Sequence, residues 1–276
     1  MSIKKFVDIF KRSHNVVVGM LHLEALPGSP RNKLPMSKIC DVALREAEIY
    51  VNAGLDAVMI ENMHDVPYVK SSEFGPEVVA AMATVATKLR HEFPHTPMGI
   101  QILTTANKEA LSIAKCVGLN FIRAEGLVFS HIGDEGWIDS NAGSLLRYQR
   151  TINAEDVLIF GDIKKKHCSH SVTSDIDIST TARALEFFLV DGAIVTGAET
   201  SSPADLQDFN DVSAAIQIPV LIGSGVTKSN VHKFLSANGL VIGSHFKTDG
   251  IWYNGVDQAR VEAFMREINT LRQEMS

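Results

Sequence analysis

Eight short apolar runs recur along the chain at intervals of roughly 25 to 40 residues, most followed by a segment of helical periodicity, the rhythm of repeated βα units. The runs are Val16 to Met20, Ala57 to Ile60, Met98 to Leu103, Phe121 to Ala124, Val157 to Gly161, Ala193 to Thr196, Val220 to Ile222 and Leu240 to Ile242. Most are continuously apolar instead of alternating, as a strand covered on both faces of a parallel sheet requires. Eight such units predict an α/β fold of the (β/α)8 TIM barrel type. The length of 276 residues exceeds an ordinary single core, but barrels reach about 250 residues as one unit. No low-complexity linker or composition shift divides the chain, so residues 1–276 read as a single domain.

Amphipathic segments at Ser37 to Asn52, Glu77 to Glu92, Ile178 to Val190, Pro203 to Ile216 and Val256 to Gln273 supply crossover helices. Ser202 with Pro203, and Ser229 with Asn230, read as helix starts; Gly54 and Gly118 read as stops. The longer connections, Leu21 to Met36, Asn62 to Pro76, Glu125 to Gly143 and Ile163 to Asp177, all follow strands, which places them on the catalytic face of a barrel.

The sharpest chemical signal lies near the end, where Val220-Leu-Ile-Gly-Ser-Gly-Val226 and Ala237-Asn-Gly-Leu-Val-Ile-Gly-Ser244 both read as strands ending in Gly-Ser. Glycine lets the main chain approach an anion closely, and successive unobstructed amides can point at one phosphate oxygen. The loops after barrel strands seven and eight, with a short helix beginning near His245, are where many barrels hold phosphate. Gly223, Ser224, Gly225, Gly243 and Ser244 are therefore the expected phosphate-binding residues. Glycines of this kind also serve simply as tight turns, but two consecutive strand ends favour the anion site.

Polar residues crowd the other strand ends: His22 and Glu24, Glu61 and Asn62, Gln101, Arg123 and Glu125, Asp162 and Lys164. Clustered carboxylates either raise one pKa for use as a general base or are relieved by a cation. The catalytic candidates are Asp162 or Glu61 as acid/base and Arg123 or Lys164 as stabilisers of developing charge, with His22 and Glu125 beside them. Arg123 with Glu125 also reads as an internal ion pair of the core. Glu61 and Asp162 with His22 or His167 would alternatively suit a divalent metal, and convergence of His22, Glu24, Glu61 and Asp162 would suit a metal-dependent hydrolase. Lys165 and Lys166 belong to a charge run and are expected to face solvent. His167 and Cys168 are sequence neighbours, which does not make a nucleophile and base.

The balance of 26 basic against 32 acidic residues, a net charge of −6, is the wrong sign for a nucleic-acid partner. Three scattered cysteines without a CxxC pair fit a reducing compartment, and no stretch is long and apolar enough for a membrane span. A cytoplasmic location is expected. The opening MSIKKFVDIFKRSH keeps a mitochondrial transit helix open, with Asp8 weighing against it. Trp252 and Tyr253 read as exposed and suited to protein contacts, including those of a homo-oligomer.

The chain also resembles the BtpA family, named for a photosystem I biogenesis protein and placed among the ribulose-phosphate-binding barrels. The resemblance runs through Gly19-Met-Leu-His-Leu-Glu-Ala-Leu-Pro-Gly-Ser-Pro30, Glu61-Asn62, Asp162-Ile-Lys-Lys-Lys-His167, Asp191-Gly-Ala-Ile-Val-Thr-Gly197, Pro219-Val-Leu-Ile-Gly-Ser-Gly-Val-Thr227 and Gly243-Ser-His-Phe-Lys-Thr-Asp-Gly250. It implies the barrel and its phosphate class but supplies no catalytic residue. Two functions follow as expectations. One is an isomerase, epimerase or lyase acting on a phosphorylated sugar or nucleoside-like metabolite, with a metal-dependent hydrolase as a variant. The other is a non-catalytic assembly factor acting through its surface, which a collapsed barrel mouth would favour.

Overall fold

The computed structural model describes residues 2–197 and 202–275. Each continuously apolar run becomes a buried strand: β1 (Val16–His22), β2 (Ala57–Glu61), β3 (Met98–Gln101) and β4 (Phe121–Ala124) come first. A hairpin of β5 (His131–Gly133) and β6 (Gly136–Ile138) interrupts the series before β7 (Leu158–Ile163) and the short β8 (Cys168–Ser169). The last strands are β9 (Gly192–Val195), β10 (Val220–Ile222) and β11 (Gly239–Ile242). Eight of these close into an all-parallel barrel in the order β1-β11-β10-β9-β7-β4-β3-β2. The fold is the α/β TIM barrel read from the repeat.

An N-terminal helix α1 (Ser2–Phe10) precedes the barrel. The crossovers are α2 (Met36–Asn52), α3 (Pro76–Glu92), α4 (Asn107–Val117), α5 (Ala142–Thr151), α6 (Ile178–Phe187) and α7 (Leu206–Ala215), and α8 (Gln258–Glu274) closes the ring. Gly118 caps α4 in the left-handed region at φ +79°, as its reading as a helix stop requires.

Three expectations are corrected. The helix expected from Pro203 begins at Leu206, because the Asp205 carboxylate accepts from the amides of Gln207 at 2.6 Å and Asp208 at 3.3 Å and so sets the cap there. Asn230 starts only a 3-10 turn, Val231–Phe234; its side-chain Oδ1 accepts from the Thr227 amide upstream at 2.7 Å instead of capping a following turn. The helix read to Val190 stops at Phe187, with Leu189 at φ +66°.

Two separate apolar clusters follow from the strand period of two. Outward residues such as Val17, Val58, Ile100 and Ile122 pack under the helices. Inward residues Val16, Val18, Met20, Ala57, Met59, Phe121, Leu158, Phe160, Ile194, Leu221 and Val241 fill the barrel together with Phe6 and Phe10 of α1. The Phe6 ring meets Phe10 at 4.6 Å and Phe160 at 6.1 Å, and Phe10 meets Phe121 at 5.6 Å. The segment weighed as a transit helix thus plugs the barrel floor, where each buried phenylalanine contributes about 1.5–3 kcal/mol.

At the opposite end, β6, β5 and β8 form a three-stranded antiparallel sheet that joins the long loops after β4 and β7. No helix among the described residues is long and apolar enough to cross a membrane.

Candidate active site

Continuing the inward register by one more step along each strand gives the top layer of the barrel. After Met20 comes His22, after Met59 comes Glu61, after Phe121 comes Arg123, and after Phe160 comes Asp162. Gln101 joins them from β3, since the ladders align His22 with Glu61 and Glu61 with Gln101. The same step past Leu221 and Val241 lands on Gly223 and Gly243. One arc of the layer is therefore charged or polar, and the opposite arc has no side chains. Thr196, the same step past Ile194, stands between Gly223 and Asp162, and all six polar members are buried.

Burial on this scale demands partners. The Arg123 guanidinium donates from Nε to Asp162 Oδ1 at 2.8 Å and from Nη2 to Oδ2 at 2.9 Å. This corrects the expected Arg123–Glu125 pair, and it leaves Asp162 holding the arginine instead of standing free as an acid/base. Burial disfavours the guanidinium charge, but Asp162, Glu61 and Glu125 more than offset that and hold Arg123 above its usual pKa. Glu125 instead accepts from Gln101 Nε2 at 2.7 Å and lies 3.0 Å from the Lys165 amine.

His22 and Glu61 form the second pair, with Nε2 and Oε2 3.6 Å apart. His22 Nδ1 donates to the Trp252 carbonyl at 2.9 Å, which directs Nε2 toward Glu61 as an acceptor. Burial first, then Lys247, pushes the His22 pKa well down, so the ring is neutral. Burial raises the Glu61 carboxyl, with Glu125 and Asp162 adding to it against Arg123 and Lys166. A neutral imidazole beside a carboxyl of raised pKa is an acid/base unit. Its support is buried too: the Lys247 amine donates to Glu46 Oε2 at 3.0 Å and Glu46 Oε1 accepts from the Val256 amide at 2.9 Å, pinning the loop that carries Trp252.

The glycine arc lines a cavity of about 120 Å³ whose walls include Gly223, Ser224, Gly225, Gly243, Ser244, His245, Arg260 and, on the polar side, His22, Glu61, Arg123 and Lys166. A Cβ on Gly223 would sit 2.4 Å from the Ile194 side chain and 3.1 Å from that of Thr196, so the bare glycine is what makes room for these neighbours, with Arg123 Nη2 at contact distance beyond. Gly225 has φ +66°, and a Cβ there would sit 2.3 Å from the Pro203 backbone. The Ser224 hydroxyl, expected as a phosphate donor, is spent within the fold: it donates to Ser202 O at 3.0 Å and accepts from the Gly197 amide at 2.6 Å. The short helix expected near His245 is a 3-10 turn, Ser244–Phe246. Burial and Arg260 lower the His245 pKa to about 4.

A second cavity of about 290 Å³ adjoins the first and shares Glu61, Met63, Arg123 and Lys166 with it. Gln101, Glu125, Tyr68, Trp252, Lys165 and the Asp134–Glu135 turn between β5 and β6 complete its wall. The lysine run is the largest correction. Lys164 turns away, its amine donating to Ile176 O at 2.5 Å, and lines neither cavity. Lys165 and Lys166, expected in solvent, face the mouth. Lys165 pairs with Glu125 at 3.0 Å and Glu135 at 3.5 Å; burial works against its charge, yet the two carboxylates raise its pKa. Lys166 lines both cavities, and burial, then Arg123, lowers its pKa.

Glu24 lines neither cavity. Trp252 is half-buried and stacked on His64 at 5.3 Å instead of exposed, while Tyr253 is exposed. Burial pushes the Cys168 thiol up to about 11, a poor nucleophile. No group of three His, Cys, Asp or Glu side chains among the described residues is placed to hold a metal ion.

Solved structures share the architecture. 3-Keto-L-gulonate-6-phosphate decarboxylase from Vibrio cholerae superimposes with a TM-score of 0.55 at 13% identity, covering 93% of this chain and 98% of that one. Phosphoribosyl anthranilate isomerase from Thermus thermophilus gives 0.56 at 11% identity, covering 93% and 99%. These likenesses show the TIM-barrel fold. Sequence relatives come closer. A Caenorhabditis elegans protein, uncharacterized and named as mitochondrial, is 48% identical over 268 residues, 96% of each chain. The photosystem I biogenesis protein BtpA of Synechocystis is 35% identical over 263 residues, 94% of this chain and 90% of its own. The BtpA family profile matches residues 13–270, a span that takes in every side chain of the polar layer and both glycine turns: the chain belongs to the BtpA family.

Proposed function

We propose that the protein is an enzyme acting on a phosphorylated sugar or nucleoside-like metabolite, by proton transfer next to a carbonyl or by carbon–carbon cleavage. The observation that carries this reading is the pair of adjoining cavities with Glu61, Arg123 and Lys166 on their shared wall. The phosphate group fits the glycine-walled cavity, where the backbone can approach closely and Arg123 supplies positive charge. The organic part fits the larger cavity. Glu61, backed by neutral His22, then moves the proton. Arg123 stabilises the negative charge that develops on the carbonyl oxygen. Phosphorylated compounds in the names of the structural neighbours agree with this substrate class.

An open mouth with converging charges favours catalysis over action through the surface alone. The mitochondrial label of the Caenorhabditis elegans relative makes that compartment a candidate location alongside the cytoplasm.

The test is solvent exchange. A panel of phosphorylated aldoses and ketoses is incubated with the protein in D2O and followed by proton NMR. Loss of a signal beside a carbonyl, with wild type and not with Glu61→Gln, is the expected result. No exchange with any compound that the protein binds would overturn the assignment of Glu61.

A further inference from the structure

We infer that Lys166 is an imine-forming nucleophile, which attacks the carbonyl carbon of a phosphorylated aldehyde or ketone lying across the two cavities. The inference rests on the phosphate reading above and narrows its substrate class.

Position singles out this lysine among the three that follow β7. Lys164 is bonded to Ile176 O, and Lys165 is paired with Glu125 and Glu135. No hydrogen bond or ion pair ties the Lys166 amine to a described residue, although it stands on the wall common to both cavities. An amine paired with carboxylates is held in its protonated form, which has no lone pair to offer; an amine without such a partner gives up its proton more readily. Burial and the neighbouring Arg123 charge lower its pKa, against the pull of Glu61, Asp162 and Glu125. Desolvation next to a second cation is how a protein makes a lysine nucleophilic near neutrality.

The step balances with groups already in the mouth. The Lys166 lone pair bonds to the carbonyl carbon, and the carbonyl π pair moves to oxygen. A proton passes from nitrogen to that oxygen, giving a carbinolamine. Glu61, whose buried carboxyl favours its protonated form, gives its proton to the new hydroxyl, which leaves as water. The product is an iminium cation and a Glu61 carboxylate. That carboxylate can take a proton from the adjacent carbon, while the iminium accepts the electron pair of a C–H or C–C bond. Gln101 Oε1, buried and without a hydrogen-bond partner among the described residues, also lines the larger cavity. It provides an acceptor for a hydroxyl of the carbon chain.

The experiment uses pyridoxal 5′-phosphate, a phosphate-bearing aldehyde, with pyridoxal as its phosphate-free partner. The full-length protein is incubated with each, reduced with borohydride, and the modified lysine is located by mass spectrometry. The expected result is labelling of Lys166 by the phosphate-bearing aldehyde at least about tenfold above any other lysine, as a lowered pKa and a cavity position imply. Inorganic phosphate should suppress it, and Lys166→Met should abolish it while melting as cooperatively as wild type. Labels scattered over other lysines, or an unchanged extent in Lys166→Met, would overturn the inference. Equal labelling of Lys166 by both aldehydes, insensitive to phosphate, would keep the imine and remove the phosphate cradle.

Discussion

Arg123 and Asp162 meet as a two-pronged ion pair inside the barrel mouth, at 2.8 and 2.9 Å, with both side chains almost wholly buried. Asp162 therefore orients the guanidinium. Asp162→Asn removes the charge and leaves a buried cation uncompensated, so it should cost on the order of 3–5 kcal/mol of stability and weaken ligand binding together with turnover. Thermal melts and ligand titrations of the variant check this. Full stability and binding with turnover alone lost would instead make Asp162 the acid/base.

Glu61 should behave in the opposite sense. Burial raises its folded-state pKa, so the protonated form is the one the fold prefers. The resulting stability is present below the unfolded carboxyl value and is lost as pH rises through the folded one. Glu61→Gln at neutral pH should therefore melt no lower than wild type, while turnover falls about 10²–10⁴-fold. The turnover of wild type should also gain an acid limb displaced above the ordinary carboxylate range of about 4.3. A lower melting point with turnover intact would assign Glu61 to the structure alone.

How much of this was legible before the fold was known depends on the register. The alternation of inward and outward residues holds to the last residue of each strand, so His22, Glu61, Gln101, Arg123 and Asp162 were all readable as one layer. Beyond the strand ends the period fails. Lys164 at φ +42° and His167 at φ +56° turn the chain back on itself. That reversal sends Lys164 outward and brings Lys165 and Lys166 over the mouth, against the reading of a solvated charge run. Pairing was equally hidden: Glu125 follows Arg123 by two residues at the end of its own strand, whereas Asp162 reaches it only because β7 lies beside β4, which spacing within one strand does not reveal. The signal available for Lys166 was only its place, just past the fifth barrel strand.

The floor of the barrel gives a prediction independent of the mouth. Phe6 is fully buried against Phe10 and Phe160. Phe6→Ala should cost about 3–5 kcal/mol by opening a cavity under the barrel. Chemical denaturation measures the loss, and ligand affinity measured below the melting transition should be unchanged. A stability within error of wild type would mean that α1 contributes nothing to the floor.

His245 supplies a pH signature. Its pKa falls from the unfolded value of about 6.5 to about 4 in the fold, by burial and the Arg260 charge. The neutral ring is the folded form. Its stability is present above the unfolded value and is lost as pH falls through that window. His22, lowered by burial and Lys247, acts in the same direction. Melting temperature against pH should decline across this range in wild type, and less steeply in His245→Gln. Identical slopes would contradict the assignment.

The central claim is that a phosphate group seats between the glycine turns after β10 and β11. Gly225 is unsuited to probing it by mutation, because any side chain there strikes Pro203. The direct measurement is the melting temperature of the wild-type protein with matched pairs of sugars and nucleosides, phosphorylated and not. A ligand at about one hundred times its Kd adds about 2.7 kcal/mol, and each kcal/mol moves a domain of 150–250 residues by about 2–4 °C. A shift of several degrees confined to the phosphorylated members, and competed by inorganic phosphate, is the result this account predicts. Equal shifts within each pair, or none in any, would contradict it.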